Sequence, residues 1–265
     1  MRGDGGQGGA KERGVVLMLE TSARTCSVAL FEGGVCLAGR AVRGEDGAGY
    51  VHAEVLLTLI DEVHREAGMP RNAADAVAVS AGPGSYTGLR IGLSTAKGIA
   101  HALGKPLLML DTLEVLCCRA EGEGRRGPVL AVLDARRNEV YAAVFAPREG
   151  GGWHRLEETR PVVLEGMPWE VWKDGMPENL MILGDAAEKT AQALEPYKPM
   201  GGWGAVVTCD PEARFAGGLV ERARREGLWA DLAYATPKYL KEFVAGTPRN
   251  LLGTPAADRN FPSQG

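Results

Sequence analysis

The chain has 265 residues, 45% hydrophobic and 24% charged, which suits one large domain or two lobes sharing a core and excludes wholesale disorder. Its 30 Lys and Arg against 34 Asp and Glu give a net charge of −4, without the basic excess of a free-standing nucleic-acid binder. No apolar run reaches the ~18 residues of a membrane span, and the opening MRGDGGQGGAKERG lacks the apolar stretch of a signal peptide, so a cytoplasmic location is expected.

In chain order, residues 1–14 are rich in glycine and read as a flexible leader. Val15–Leu19 is a short continuous apolar run, the pattern of a buried strand, followed by a polar turn at Thr21–Arg24. Thr25–Phe31 and Val35–Arg40 are β-rich runs split by Glu32-Gly33-Gly34, a hairpin signal. Val51–Ala67 has helical periodicity and is closed by Gly68 and Pro70. Ala76–Ala81 reads as a strand, Leu89–Leu103 as a helix closed by Gly104 and Pro106, and Leu107–Leu110 as a strand. Asp111 or Thr112 then caps a helix running to about Arg119. Three antiparallel strands followed by βα units predict an α/β, ribonuclease-H-like sheet, the building block of the two-lobed actin-like ATPase (ASKHA) fold.

An internal echo points the same way. Leu19-Glu20 leads after eleven residues to Phe31, and Leu133-Asp134 leads after the same interval to Phe145. In both, an apolar strand ends in a carboxylate, turns, and returns as a strand ending Ala-aliphatic-Phe. A duplicated lobe and a chance likeness of two hairpins both explain this. The expected organisation is a first lobe over 15–125, a hinge near Glu121–Gly127, a second lobe over 126–245 and a tail over 246–265. Beyond Pro147 the signals weaken to short elements up to Met181–Leu183, a helix over Pro211–Arg225, and an edge strand at Tyr239-Leu240.

Few residues carry recognisable chemistry. The five cysteines, at 26, 36, 117, 118 and 209, form no C-x-x-C pair and read as small buried hydrophobes in a reducing compartment. The histidines, at 52, 64, 101 and 154, have no metal-ligand spacing, so no metal site is expected. Gly82-Pro83-Gly84-Ser85-Tyr86-Thr87-Gly88 lies between a strand and a helix. Such a loop can aim backbone N–H groups at an anion, which makes Gly82, Gly84, Ser85 and Thr87 the candidate cofactor-binding residues. The spacing matches neither G-x-G-x-x-G nor a P-loop, and a tight glycine-dependent connection explains it equally. Glu20 and Asp134 are carboxylates at strand ends, able to serve a metal or base role or to cap their own turns. No serine sits in a nucleophile elbow.

The helix Leu89–Leu103 carries a second stripe, Ile91, Thr95, Gly98 and Ala102, and Val51–Ala67 spreads Val55, Leu56, Leu57 and Ile60 over more than one face. That excess predicts a second neighbour, either the other lobe or a partner.

Several stretches together are closely similar to one family. Leu17–Leu30 reads LMLETSARTCSVAL, and Ser80–Leu108 reads SAGPGSYTGLRIGLSTAKGIAHALGKPLL. With His52–Leu57, Leu133–Tyr141 and Pro237–Leu240, these resemble the TsaB (YeaZ) family of bacterial tRNA threonylcarbamoyladenosine biosynthesis proteins. The related catalytic family, TsaD, carries Asn-His-Leu-Glu-Gly-His where this chain has Asp111-Thr112-Leu113-Glu114-Val115-Leu116, so Thr112 and Leu116 stand in place of the metal-binding histidines. Glu20 departs from the aspartate usual in the TsaB family.

The resemblance implies a non-catalytic subunit without cofactor. Its expected partners are a TsaD-like catalytic subunit and a TsaE-like ATPase, with tRNA met only through the complex. The residues from Val55 to Ala102 named above would be the partner surface, self-paired in a homodimer when the partner is absent. A glycoprotease-like metallopeptidase and a small kinase-like ATPase are the rival readings.

Overall fold

The structure, a computed structural model, describes residues 14–44, 51–122, 127–149, 151–166, 169, 172 and 174–240. The expected leader, tail and centre of the hinge lie almost wholly outside the described residues.

The first sheet forms as the sequence dictates. The apolar run of β1 (Val15–Glu20) is fully buried and pairs antiparallel with β2 (Thr25–Glu32), which pairs with β3 (Val35–Arg43). Gly33 and Gly34, at φ 57° and 85°, supply the left-handed turn that joins the last two. The helix α1 (His52–Glu66) precedes β4 (Ala76–Gly82), which lies parallel to β1. The helix α2 (Tyr86–Leu103) precedes β5 (Leu107–Asp111), parallel to β4. α2 begins three residues earlier than the periodicity predicts because Ser85 caps it, its Oγ accepting the Gly88 N–H at 3.1 Å.

The second sheet repeats this plan, as the echo indicated. β6 (Val129–Asp134) pairs antiparallel with β7 (Glu139–Pro147), which pairs with β8 (Trp153–Val163). β9 (Met181–Leu183) lies parallel to β6, and β10 (Ala205–Val207) parallel to β9, with α4 (Ala187–Ala193) between them in sequence. With the short β11 (Trp229–Ala230) at the edge, the orders are β11-β5-β4-β1-β2-β3 and β10-β9-β6-β7-β8, two mixed sheets of the ribonuclease-H-like, actin-like type.

The connecting helix α3 (Thr112–Gly122) is apolar on two sides because it serves both sheets. Its Val115 and Cys118 pack with Val16, Met18 and Leu108, while Leu113, Leu116, Cys117 and Ala120 pack with Ala131, Leu133 and Phe145. α1 and α2 lie together on the opposite face of the first sheet, where Leu56, Leu59, Val63, Leu93, Ala96 and Ala100 cover Leu17, Leu19 and Val77.

The C-terminal part differs from the expected division. The predicted helix over Pro211–Arg225 is a 3-10 turn, Ala213–Phe215, followed by α5 (Gly217–Arg225). Gly217 starts the helix where the chain passes over the β2–β3 turn, and a Cβ there would stand 2.1 Å from the Gly34 carbonyl oxygen. α5 buries Leu219, Val220 and Ala223 on the first sheet, so the chain returns to the first lobe after residue 210 and the span 126–245 is shared between lobes. The edge strand is β11 (Trp229–Ala230), antiparallel to β5, rather than Tyr239-Leu240. Tyr239 instead packs its ring 4.9 Å from Tyr86, where the Lys238 N–H donates to the Ala81 carbonyl at 2.7 Å.

Candidate functional site

The two carboxylates singled out by the echo end equivalent strands in opposite surroundings. Glu20 is fully buried. It accepts the Ser22 N–H at 2.7 Å and the hydroxyls of Ser22 and Ser80. Burial pushes its carboxyl up to about 7 against these hydrogen bonds, with the nearby Asp210 charge adding to the rise. The turn that follows is fastened on every side. His52 donates Nε2–H to the Ala23 carbonyl at 2.8 Å, Thr21 Oγ1 donates to the Gly88 carbonyl at 2.8 Å, and the Ser85 N–H donates to the Ser22 carbonyl at 2.6 Å. From the far lobe, Asp210 accepts both the Thr25 N–H and its hydroxyl, at 3.1 and 2.6 Å.

The glycine loop completes this plug. A Cβ would stand 2.4 Å from the Ser22 carbonyl oxygen at Gly84, 2.1 Å from that of Thr21 at Gly88, and 2.6 Å from that of Lys238 at Gly82. Of the four candidate cofactor residues, Gly82 and Gly84 are thus occupied by close backbone approach. Ser85 spends its N–H and hydroxyl inside the protein, and Thr87 alone is exposed. The arrangement is a packed connection, not an open cradle of N–H donors.

At the end of β6, by contrast, Asp134 is solvent-accessible. Its N–H donates to Asp185 Oδ1 at 2.7 Å, and its Oδ1 accepts the Arg136 N–H at 3.1 Å. Lys189, from α4, pairs with Asp134 and donates to the carbonyls of Arg137 and Glu139 at 3.2 and 2.9 Å. Arg136 and Arg137 both hold left-handed backbone, φ 69° and 54°, which non-glycine residues adopt at a cost. A cleft of about 450 Å³ opens here, bounded by Asp134, Arg137, Asp185 and Lys189 from the second lobe and Arg24 and Arg43 from the first. Arg43 bridges the cleft wall to the buried Asp210 at 3.5 Å. The surrounding protein raises the Asp185 carboxyl to about 6, its hydrogen bond from Asp134 opposing the rise.

Of these cleft residues the sequence pointed only to Asp134. Asp185 follows a glycine at a strand end, a local signal that could have been read; Asp210 meets Thr25 across 185 positions and left none. Among the cysteines, 26, 117 and 118 are buried, with burial pushing Cys26 up to about 12, while Cys36 is exposed and Cys209 lines the cleft. Among the described residues, no group of three or more His, Cys, Asp or Glu is placed to hold a metal ion, and no helix is long and apolar enough to cross a membrane.

The candidate partner surface divides. Leu56 and Ile60 are 2% and 7% exposed and belong to the core, with Val55 and Ile91 packed at its edge. Leu57 is 65% exposed. Gly98 and Ala102 are exposed and Thr95 half-buried, and a Cβ at Gly98 would meet open space.

The chain is similar to a group of proteins of one kind. It is 29% identical over 247 residues to the tRNA threonylcarbamoyladenosine biosynthesis protein TsaB of Escherichia coli (strain K12), spanning 87% of this chain and 96% of that protein. The TsaB of Haemophilus influenzae is 35% identical over 126 residues, 48% of this chain and 51% of the relative. The solved structure of YeaZ from Pseudomonas aeruginosa superposes with a TM-score of 0.71 at 27% identity, covering 86% of this chain and all of that one, 100%. The chain is thus similar to TsaB (YeaZ) proteins along nearly their whole length and shares their fold. A profile of the TsaD family, described as tRNA N6-adenosine threonylcarbamoyltransferase, matches residues 47–156, the kinship between subunit types that the sequence implied. Within the matched stretch, Thr112 and Leu116 are both fully buried beside the core of α3.

Proposed function

We propose that this chain is a non-catalytic subunit of the machinery that adds threonylcarbamoyl to the adenosine beside the anticodon of tRNA. The observation that carries this reading is the match to a TsaB protein along 96% of that relative's length. The buried threonine and leucine at 112 and 116 support it, since neither side chain supplies an imidazole. The metal-dependent transfer therefore belongs to a TsaD-like partner, and the present chain holds that partner in its working form. A TsaE-like ATPase joins the pair, and tRNA is engaged through the assembly, which fits a net charge of −4.

The pairing surface is the solvent side of α1 and α2. Leu57 projects from the first helix, and Thr95, Gly98 and Ala102 leave a low ridge on the second against which another helix can lie closely. Without the partner, a second copy of the chain uses the same surface. The test is sedimentation of the full chain mixed with the threonylcarbamoyltransferase of the same cell. Leu57→Arg and Thr95→Arg, each folded by circular dichroism, are expected to weaken the complex at least tenfold by burying an unpaired charge. Unchanged affinity in both variants would place the interface elsewhere.

A further inference from the structure

Residues 231–240 run along one flank of α2 and are fastened there at two points. Lys97 Nζ donates to the carbonyls of Ala235 and Ala233 at 3.1 and 3.5 Å, and the Lys238 N–H donates to the Ala81 carbonyl at 2.7 Å. Next to the second point stands a stacked cluster. Arg90 lies over the Tyr86 ring, 4.2 Å from its centroid, and donates Nε–H to Tyr239 Oη at 3.1 Å. The rings of Tyr86 and Tyr239 are 4.9 Å apart. Two phenol groups thus fix the direction of an exposed guanidinium, whose terminal nitrogens have no hydrogen-bond partner among the described residues.

This flank is positive in a chain whose net charge is −4. The helix α2 contains no Asp or Glu, and among the described residues Arg90, Lys97 and Lys238 make no ion pair. Asp231, the one carboxylate in residues 231–240, is turned to its own backbone and accepts the Ala233 N–H at 2.8 Å. Tyr234 and Tyr239 are 83% and 42% exposed on the same stretch, so aromatic rings alternate with cations. An acidic polypeptide would neutralise the cations but offers few flat faces to the rings, and an RNA duplex keeps its bases stacked on one another. Unpaired nucleotides supply both groups at once: bases stack on aromatic faces, and phosphates meet guanidinium and ammonium.

We propose that this flank of α2, centred on Arg90 and Tyr239, is the surface by which the chain touches unpaired nucleotides of RNA. Arg90 gives its terminal N–H groups to a phosphate, Lys238 adds a second cation, and a base stacks on the exposed face of Tyr239. This deepens the reading above, in which RNA is engaged through the assembly, and rests on it. Thr95, Gly98 and Ala102 of the pairing surface lie about a quarter turn or more round the helix from Arg90, which leaves the flank open when the partner is in place.

The experiment titrates a labelled, unmodified anticodon stem-loop RNA with the full chain paired to the threonylcarbamoyltransferase of the same cell, read by fluorescence anisotropy over a range of salt. Sedimentation checks that each variant still pairs, and circular dichroism checks that it folds. Arg90→Ala and Tyr239→Ala are each expected to weaken RNA binding about fivefold or more. Arg90→Ala is also expected to make the salt dependence shallower by about 0.7, the loss of one phosphate contact to a single strand. Tyr239→Phe, which keeps the ring and removes the hydroxyl that Arg90 meets, is expected to restore most of the affinity lost in Tyr239→Ala. Unchanged affinity and salt slope in both alanine variants would overturn the proposal. Tyr239→Phe as damaging as Tyr239→Ala would overturn the stacking part, the ring then serving only as a post for Arg90. Polyglutamate displacing the RNA at equal charge concentration would also overturn it and point to an acidic protein as the occupant. If the pair does not form, the pairing reading is lost, and the same titrations on the full chain alone at low ionic strength decide this proposal by the same criteria.

Discussion

Glu20 and Asp134 end corresponding strands of two sheets built to one plan, yet one is sealed from solvent and the other stands in a cleft. The local sequence around each is alike: an apolar strand, a carboxylate, a short polar turn and a returning strand. What separates them is what arrives from elsewhere in the chain. The first turn receives His52 from α1, the start of α2 with its glycines, and Asp210 from the other lobe. The second turn receives Asp185 from the end of β9 and Lys189 from a short helix, and neither closes it off from solvent. The same corner thus becomes a structural plug in one lobe and an open crevice in the other. The difference lies in packing rather than in the carboxylate itself.

Filling the plug further is the most damaging change. Gly88→Ala would place a methyl 2.1 Å from the Thr21 carbonyl oxygen, and neither backbone can yield without moving α2. A loss of about 3 kcal/mol or more is expected, read as a fall in the urea midpoint. Gly184→Ala tests the corresponding approach in the second sheet, where the Val132 carbonyl would lie 1.8 Å away at φ 136°, and is expected to cost as much. A small effect at Gly88 with a large one at Gly184 would reverse the contrast drawn between the two corners.

The buried carboxyl of Glu20 comes next. Because burial raises it from 4.5 to about 7, the folded chain binds this proton more tightly than the unfolded chain. Its favourable contribution is complete below about pH 4.5 and declines as the pH rises through about 7. Glu20→Gln keeps the acceptor oxygen for Ser22 and removes the charge. At pH 8 this variant is expected to exceed the parent by up to about 3 kcal/mol, with most of the advantage gone at pH 4.5. Denaturant unfolding at the two pH values checks it; a parent profile flat over this range would contradict an enclosed, charge-averse site.

On the open side the stakes are lower. Lys189 and Asp134 keep 33% and 49% of their side chains exposed, so the pair is weakened by solvent. Lys189→Met is expected to cost about 1 kcal/mol, mostly through the carbonyls of Arg137 and Glu139 that lose this donor. The smallest effect is a gain. Gly98→Ala adds a methyl into open space on the surface of α2 and is expected to stabilise by about 0.5–1 kcal/mol, measured as a raised melting temperature.

Much of the first lobe was readable because each element there carries its own punctuation. β1 is a continuous apolar run, Gly33-Gly34 marks the hairpin, and Gly68 and Gly104 close the two long helices with φ of 65° and 62°. The second lobe was less legible past Pro147. β8 is an edge strand whose Arg155, Glu157 and Arg160 leave little apolar alternation, and β9 and β10 have three residues each, too few to show a period. The helix expected over Pro211–Arg225 failed at its start because Gly217 must clear another turn, a requirement absent from its own sequence.

By itself the sequence determined the strand and helix order of the first lobe, the matching hairpin that opens the second sheet, and the resemblance to TsaB proteins. These depend on periodicity, turn residues and short-range spacing, all local properties of the chain. Tertiary structure alone decided that the glycine loop is a packed joint, that Leu56 and Ile60 serve the core while Leu57 faces solvent, and that α5 returns to the first sheet. It also decided which of two similar carboxylates stays enclosed. Each of these outcomes depends on a contact between residues far apart in sequence, such as Asp210 with Thr25. Only burial assigns its partner to a polar group, since in the unfolded chain water satisfies both.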